Sequence, residues 1–139
     1  MSEFDLAGYV AASKQDLTRT VEIRPGAEIT IRYLSREEWR RVTRSVEKIR
    51  NPAARDAALE GRLRDLLASA VVGWRGLSPQ VVAELIPVDP GGLPAELPFS
   101  RENVRELLEH SVEFSTLLLD EITNLAAFRA SALEAEQKN

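Results

Sequence analysis

Few side chains in this sequence could carry covalent or metal chemistry. His110 is the only histidine and cysteine is absent, so no thiolate nucleophile and no histidine- or cysteine-based metal cluster can be assembled. His110 closes a helical pattern, where a cationic imidazole complements the helix dipole. Ser35, Ser78 and Ser100 each stand just ahead of a helical pattern, and N-capping accounts for all three. Gly91 and Gly92 lack the preceding strand and following lysine of a phosphate-binding loop. Carboxylates are plentiful, but most fall on polar helix faces. The expectation is a protein that is not an enzyme and uses no cofactor or metal.

Non-covalent recognition has more to work with. Arg40, Arg41 and Arg44 share one predicted helix face with Lys48. A helix of this kind can enter the major groove of a duplex, where arginine is the usual base reader. The same face also suits an acidic protein partner, or plain solvation. Glu37, Glu38 and Glu47 share the helix, and the net charge of −4 gives no overall field that would gather nucleic acid. A second candidate is Leu119, which falls off the apolar stripe of its helix and so marks a contact with another subunit. Arg40, Arg41, Arg44 and Leu119 are therefore the candidate partner-binding residues, a second copy of the chain being one possible partner. Glu121 falls on the apolar face and calls for an arginine partner, because an unpaired buried carboxylate costs several kcal/mol.

These residues need a frame to hold them. A chain of 139 residues with 44% hydrophobic and 29% charged residues is long enough to bury one core without disulfide or metal staples. No apolar run reaches the ~20 residues of a membrane helix. The first residues carry Glu3 and Asp5 where a secretory signal carries bases. These features lead to the expectation of a cytoplasmic protein with no membrane partner. The expected division is a flexible N-terminal arm over 1–17, a single domain over 18–134, and a frayed polar tail over 135–139.

Along the chain, Leu6, Tyr9 and Val10 could line one marginal helical turn. Val21 and Ile23 alternate with polar residues, as do Ile29, Ile31 and Tyr33, and Pro25-Gly26-Ala27 lies between the two runs as a turn. This predicts a β-hairpin. Ser35 and Glu38 form a capping box for a helix to about Arg50, whose stripe is Trp39, Val42, Val46 and Ile49. Asn51-Pro52 interrupts it. A second helix to about Val72 carries Leu59, Leu63, Leu66, Leu67, Ala70, Val71 and Trp74 at helical intervals on a broad buried face. Gly73 and Gly76 suit a left-handed helix stop around Trp74. A proline-rich connector follows, with a short helix at Val81, Val82 and Leu85. Ser100 caps the next helix, with Phe99 ahead of it as a hydrophobic staple. His110-Ser111 bends the chain into a last helix over Val112 to about Glu134. The fold expected is α+β, mostly helical, with an N-terminal β-hairpin packed on a four- to five-helix body.

Three short runs, Tyr33-Leu34-Ser35-Arg36-Glu37-Glu38, Val72-Gly73-Trp74-Arg75-Gly76-Leu77 and Leu97-Pro98-Phe99-Ser100-Arg101-Glu102-Asn103-Val104, occur in an order that resembles the tail assembly chaperones of long-tailed bacteriophages and prophages. The resemblance spans roughly residues 18–128, with Trp74, Gly76, Pro98, Phe99 and Ser100 as its structural motif. It implies a non-enzymatic protein of the host cytoplasm that binds the tape measure protein and recruits tail tube subunits while the tail is built. It also implies a longer form made by frameshifting, for which Gln137-Lys138-Asn139 would supply a slippery site if encoded CAA-AAA-AAC. Two other readings remain open: another small phage or bacterial assembly or adaptor protein, and a DNA-binding regulator using the arginine-rich helix.

Overall fold

The structure, a computed structural model, describes residues 3–138. Helix α1 (Leu6–Ser13) comes first, followed by strands β1 (Thr18–Arg24) and β2 (Ala27–Arg32). Helices α2 (Arg36–Ser45) and α3 (Pro52–Ala70) lead into strand β3 (Val71–Arg75). Helix α4 (Pro79–Leu85), a 3-10 turn at Pro90–Gly92, and helices α5 (Arg101–His110), α6 (Val112–Ile122) and α7 (Leu125–Lys138) complete the described chain.

The sheet is antiparallel in the order β1-β2-β3. Val21 faces Ile29 across the first pair, and Ile29 faces Trp74 across the second. One face turns Ile23, Ala27, Ile29, Ile31 and Val71 into the core. There they meet Val104, Leu107 and Leu108 from α5, Phe114, Leu118 and Ile122 from α6, and Phe128 from α7. The other face carries Thr20 and Thr30, whose hydroxyls lie 3.1 Å apart. Arg24 ties the end of β1 to two helices: its Nε donates to Glu84 of α4 at 2.8 Å and its Nη2 to Glu113 of α6 at 2.7 Å. Those two carboxylates hold its pKa above the ordinary arginine value.

Helix starts follow local side-chain chemistry. The Ser35 hydroxyl accepts from the Glu38 amide at 3.4 Å, while the Ser35 amide donates to the Glu38 carboxylate at 3.0 Å. Asn51, Ser78, Ser100 and Ser111 accept in the same way from the amides of Ala54, Val81, Asn103 and Phe114. Each satisfies one of the amides that a helix start leaves without a carbonyl.

The expected N-terminal hairpin on a four- to five-helix body is overturned. A helix, not a strand, opens the described chain; β1 and β2 belong to a three-stranded sheet, and seven α-helices accompany it among the described residues. The third strand is the stretch around Trp74 that was expected to close a helix. Val71, Val72 and Trp74 are good strand formers, and the open edge of β2 offers them backbone hydrogen bonds, so the helix stops at Ala70. The expected last helix is two helices. They break at Thr123-Asn124, where the Asn124 side chain accepts from the Ala127 amide at 3.1 Å and caps α7. Helix α2 ends at Ser45 rather than near Arg50. The broad buried face expected on α3 is only half covered: in the helix Ala68 and Ala70 alone are buried, and Leu59, Leu63, Leu66 and Leu67 are half-buried. Its leucines lie where α2 and α5 flank α3 without enclosing it. Arg62 and Arg55 bind α3 to the end of α2 and the turn after it, donating to the carbonyls of Ser45 at 2.6 Å and Ile49 at 2.9 Å. Expectations for Met1, Ser2 and Asn139 lie outside the described residues.

Glu38 joins this frame to the sheet. Burial pushes its carboxyl pKa up, but the Ser35 amide and the Arg32 guanidinium, 3.0 Å away, outweigh burial and hold it below the ordinary value. A depressed carboxyl pKa adds stability that is present in full above the unfolded value of about 4.3 and is lost as pH falls from there through the folded value. Glu38→Gln is therefore expected to be less stable than the parent at pH 7, with a smaller gap at a pH below the unfolded value. Urea midpoints at the two pH values check this; a gap that stays constant overturns it.

Candidate functional site

Trp74 and the run that begins at Leu97, 23 residues later, meet at one corner. The Trp74 indole N–H donates to the Leu97 carbonyl at 2.8 Å, and the Leu97 amide donates to the Leu77 carbonyl at 2.8 Å. The Phe99 ring stands edge-on to Trp74, with centroids 5.3 Å apart. Phe99 is thus an exposed partner of the indole at the rim of the core. Gly76 sits beneath, with φ at 76°, its amide donating to Glu96 at 2.7 Å. Ser100 caps α5, and the Asn103 side chain donates to the Pro98 carbonyl at 2.9 Å. Trp74, Gly76, Pro98, Phe99 and Ser100 are therefore gathered in one place. What gathers them is packing and hydrogen bonding, and their arrangement can fix the connector over 78–97 against the sheet.

Arg40, Arg41 and Arg44 lie together along the outer side of α2, with Arg36 continuing the row. Among the described residues Arg41 has an ion-pair partner, Glu37 at 3.4 Å, and the other three have none. Arg36, Arg40 and Arg44 are spaced four residues apart, so like charges stack along the helix at a cost of a few tenths of a kcal/mol per pair. Leu119 is exposed on α6 and is not among the residues that line this face. His110 ends α5 and approaches Glu106 at 3.2 Å, one turn back on the same helix.

Glu121 has the arginine its position calls for. Arg19 of β1 pairs with its carboxylate, donates to its main-chain carbonyl at 3.1 Å, and lies 4.9 Å from the centre of the Phe128 ring. This clasp holds the junction of α6 and α7 to the edge strand.

Sequence reasoning missed a groove beside α1. It has a volume of about 470 Å³. Leu6, Tyr9 and Val10 form one wall, Tyr33 and Leu125 lie in the body, and Lys14, Arg41 and Arg129 stand at the rim. Helix α1 buries none of its residues; Leu6 is 63%, Tyr9 57% and Val10 50% exposed. Two contacts fasten the segment after it: the Tyr33 amide donates to the Leu17 carbonyl at 2.9 Å, and Arg129 donates to the Gln15 side chain at 2.9 Å. The turn-like spacing of Leu6, Tyr9 and Val10 is the signal in the sequence; that α7 returns beside it is not.

No helix among the described residues is long and apolar enough to cross a membrane. No family model matches this chain, and no curated protein or solved structure matches it.

Proposed function

We propose that this chain is a tail assembly chaperone of a long-tailed bacteriophage or prophage, a non-enzymatic protein that binds the tape measure protein and recruits tail tube subunits. The observation that carries this reading is α1. A helix of eight residues is well below the ~12–15 residues at which isolated helices become even marginal in water, and this one has almost no packing of its own. Its apolar side chains and the open groove beside it fit a segment whose packing is completed by another polypeptide, in the manner of a helix laid in a groove. The meeting of two of the three runs that carry the resemblance, around Trp74 and Phe99, adds a rigid corner to the same body. Many weak sites along one extended client would supply avidity without tight binding at any one of them.

Co-expression tests the reading directly. A tape measure product made with this protein is expected to move from the pellet to the soluble fraction and to co-purify with it. A client that is equally insoluble with and without the protein overturns the proposal. A tape measure gene immediately downstream separates it from a different assembly or adaptor role.

A further inference from the structure

We propose that the groove beside α1 receives an amphipathic helix that carries carboxylates along the borders of its apolar face; this rests on the client-capture reading above and specifies the client's chemistry. The floor and one wall supply the apolar half of the match through Leu6, Tyr9, Val10 and Leu125. The rim supplies the other half. Lys14, Arg32, Arg41 and Arg129 line the groove against two acids, Asp16 and Glu38. Glu38 is already committed to Arg32 at 3.0 Å. Among the described residues Arg129 reaches only the neutral Gln15, and Arg41 makes one long, exposed contact to Glu37. The groove is therefore electropositive in a chain whose net charge is −4. Along the α2 side, Arg40 and Arg44 extend the positive charge beyond the groove's end.

A protein helix fits this surface better than a nucleic acid does. A duplex would set its phosphates against Glu37 and Glu38 and leave the apolar wall uncovered. A helix rises about 1.5 Å per residue and brings side chains four apart onto one face. Acids repeated at that interval can meet Arg41 and Arg129 from either side while leucines cover Tyr9 and Leu125.

The test uses the full chain and three fluorescent synthetic peptides of about 20 residues, long enough to hold helical structure. All share one leucine stripe, bordered by glutamate, glutamine or lysine. Anisotropy titration is expected to show the glutamate peptide binding about tenfold or more tighter than the glutamine one, with the advantage shrinking as salt rises. The double variant Arg41→Glu with Arg129→Glu is expected to lose that preference and to bind the lysine peptide instead. Both side chains are exposed, so folding is not at stake. Tyr9→Ala is expected to weaken every peptide that binds, by about tenfold as an aromatic anchor. Equal binding of the glutamate and glutamine peptides overturns the proposal, and so does a double variant with unchanged preference. Displacement of the glutamate peptide by duplex DNA at physiological salt also overturns it, as does a dimer of this chain that the double variant dissolves. The peptides contain no tape measure sequence, so the two readings fail separately. Glutamate-peptide binding without client solubilisation keeps the groove and removes the chaperone role, and solubilisation that survives the double variant does the reverse.

Discussion

A Gly76→Ala chain is expected to lose most of its stability. A Cβ at this position would lie 1.9 Å from the Gly26 carbonyl oxygen and 2.9 Å from its carbon. Both are backbone atoms of the β1-β2 turn and cannot swing aside like a flexible side chain. The φ of 76° adds a second penalty, about 1 kcal/mol or more for a residue with a Cβ held in the left-handed region. Relief requires separating the end of β3 from that turn, which breaks the sheet where Glu28 pairs with Arg75. The combined cost is expected to exceed about 4 kcal/mol, the range in which single substitutions unfold marginal proteins. Gly26→Ala provides the control. Its φ is 82° but nothing lies within 4 Å of the added methyl, so only the backbone penalty of about 1 kcal/mol applies. Urea unfolding of the two variants checks this, and equal losses would show that crowding at Gly76 is not the cause.

Phe128→Ala is the second large loss expected. The ring is fully buried, stands edge-on to Tyr33 with centroids 5.7 Å apart, and lies under the Arg19 guanidinium. Truncation removes the apolar transfer gain and leaves a cavity between α7 and the sheet, together about 3–5 kcal/mol. It also takes away the aromatic face on which Arg19 rests while that arginine holds Glu121. Phe128→Leu keeps most of the volume and is expected to cost about 1.5 kcal/mol or less if neighbours repack. Thermal unfolding followed by circular dichroism measures both. Phe128→Ala with an unchanged midpoint would mean that α7 does not anchor the fold.

What could be read from the sequence was local. The capping residues Ser35, Ser78 and Ser100 announce their helices because each bonds an amide three residues away. Gly76 could be recognised as a residue for positive φ, but its reason could not: it faces Gly26, fifty positions earlier, rather than ending a helix. Strand β3 was hidden for a related cause. Val71 and Trp74 continue the apolar spacing of α3, and only the waiting edge of β2 decides for a strand. The break between α6 and α7 had a signal in Asn124, outweighed by apolar residues that keep helical spacing on both sides of it. The arginine row of α2 was legible as charge. The groove it borders was not, since that depends on Arg129 meeting Gln15 across a separation of 114 residues.

Helix α3 passes into β3 with no residue between them, Ala70 ending one and Val71 opening the other. A loop at that junction would let the helix swivel without disturbing the sheet. A direct splice is expected to act as a lever: torque on α3, to which Arg62 and Arg55 strap the end of α2 and the turn after it, would arrive at Trp74 as a twist of the strand. A load on the helix is therefore expected to reach Trp74, and through it the Phe99 corner, with no loop between to absorb it.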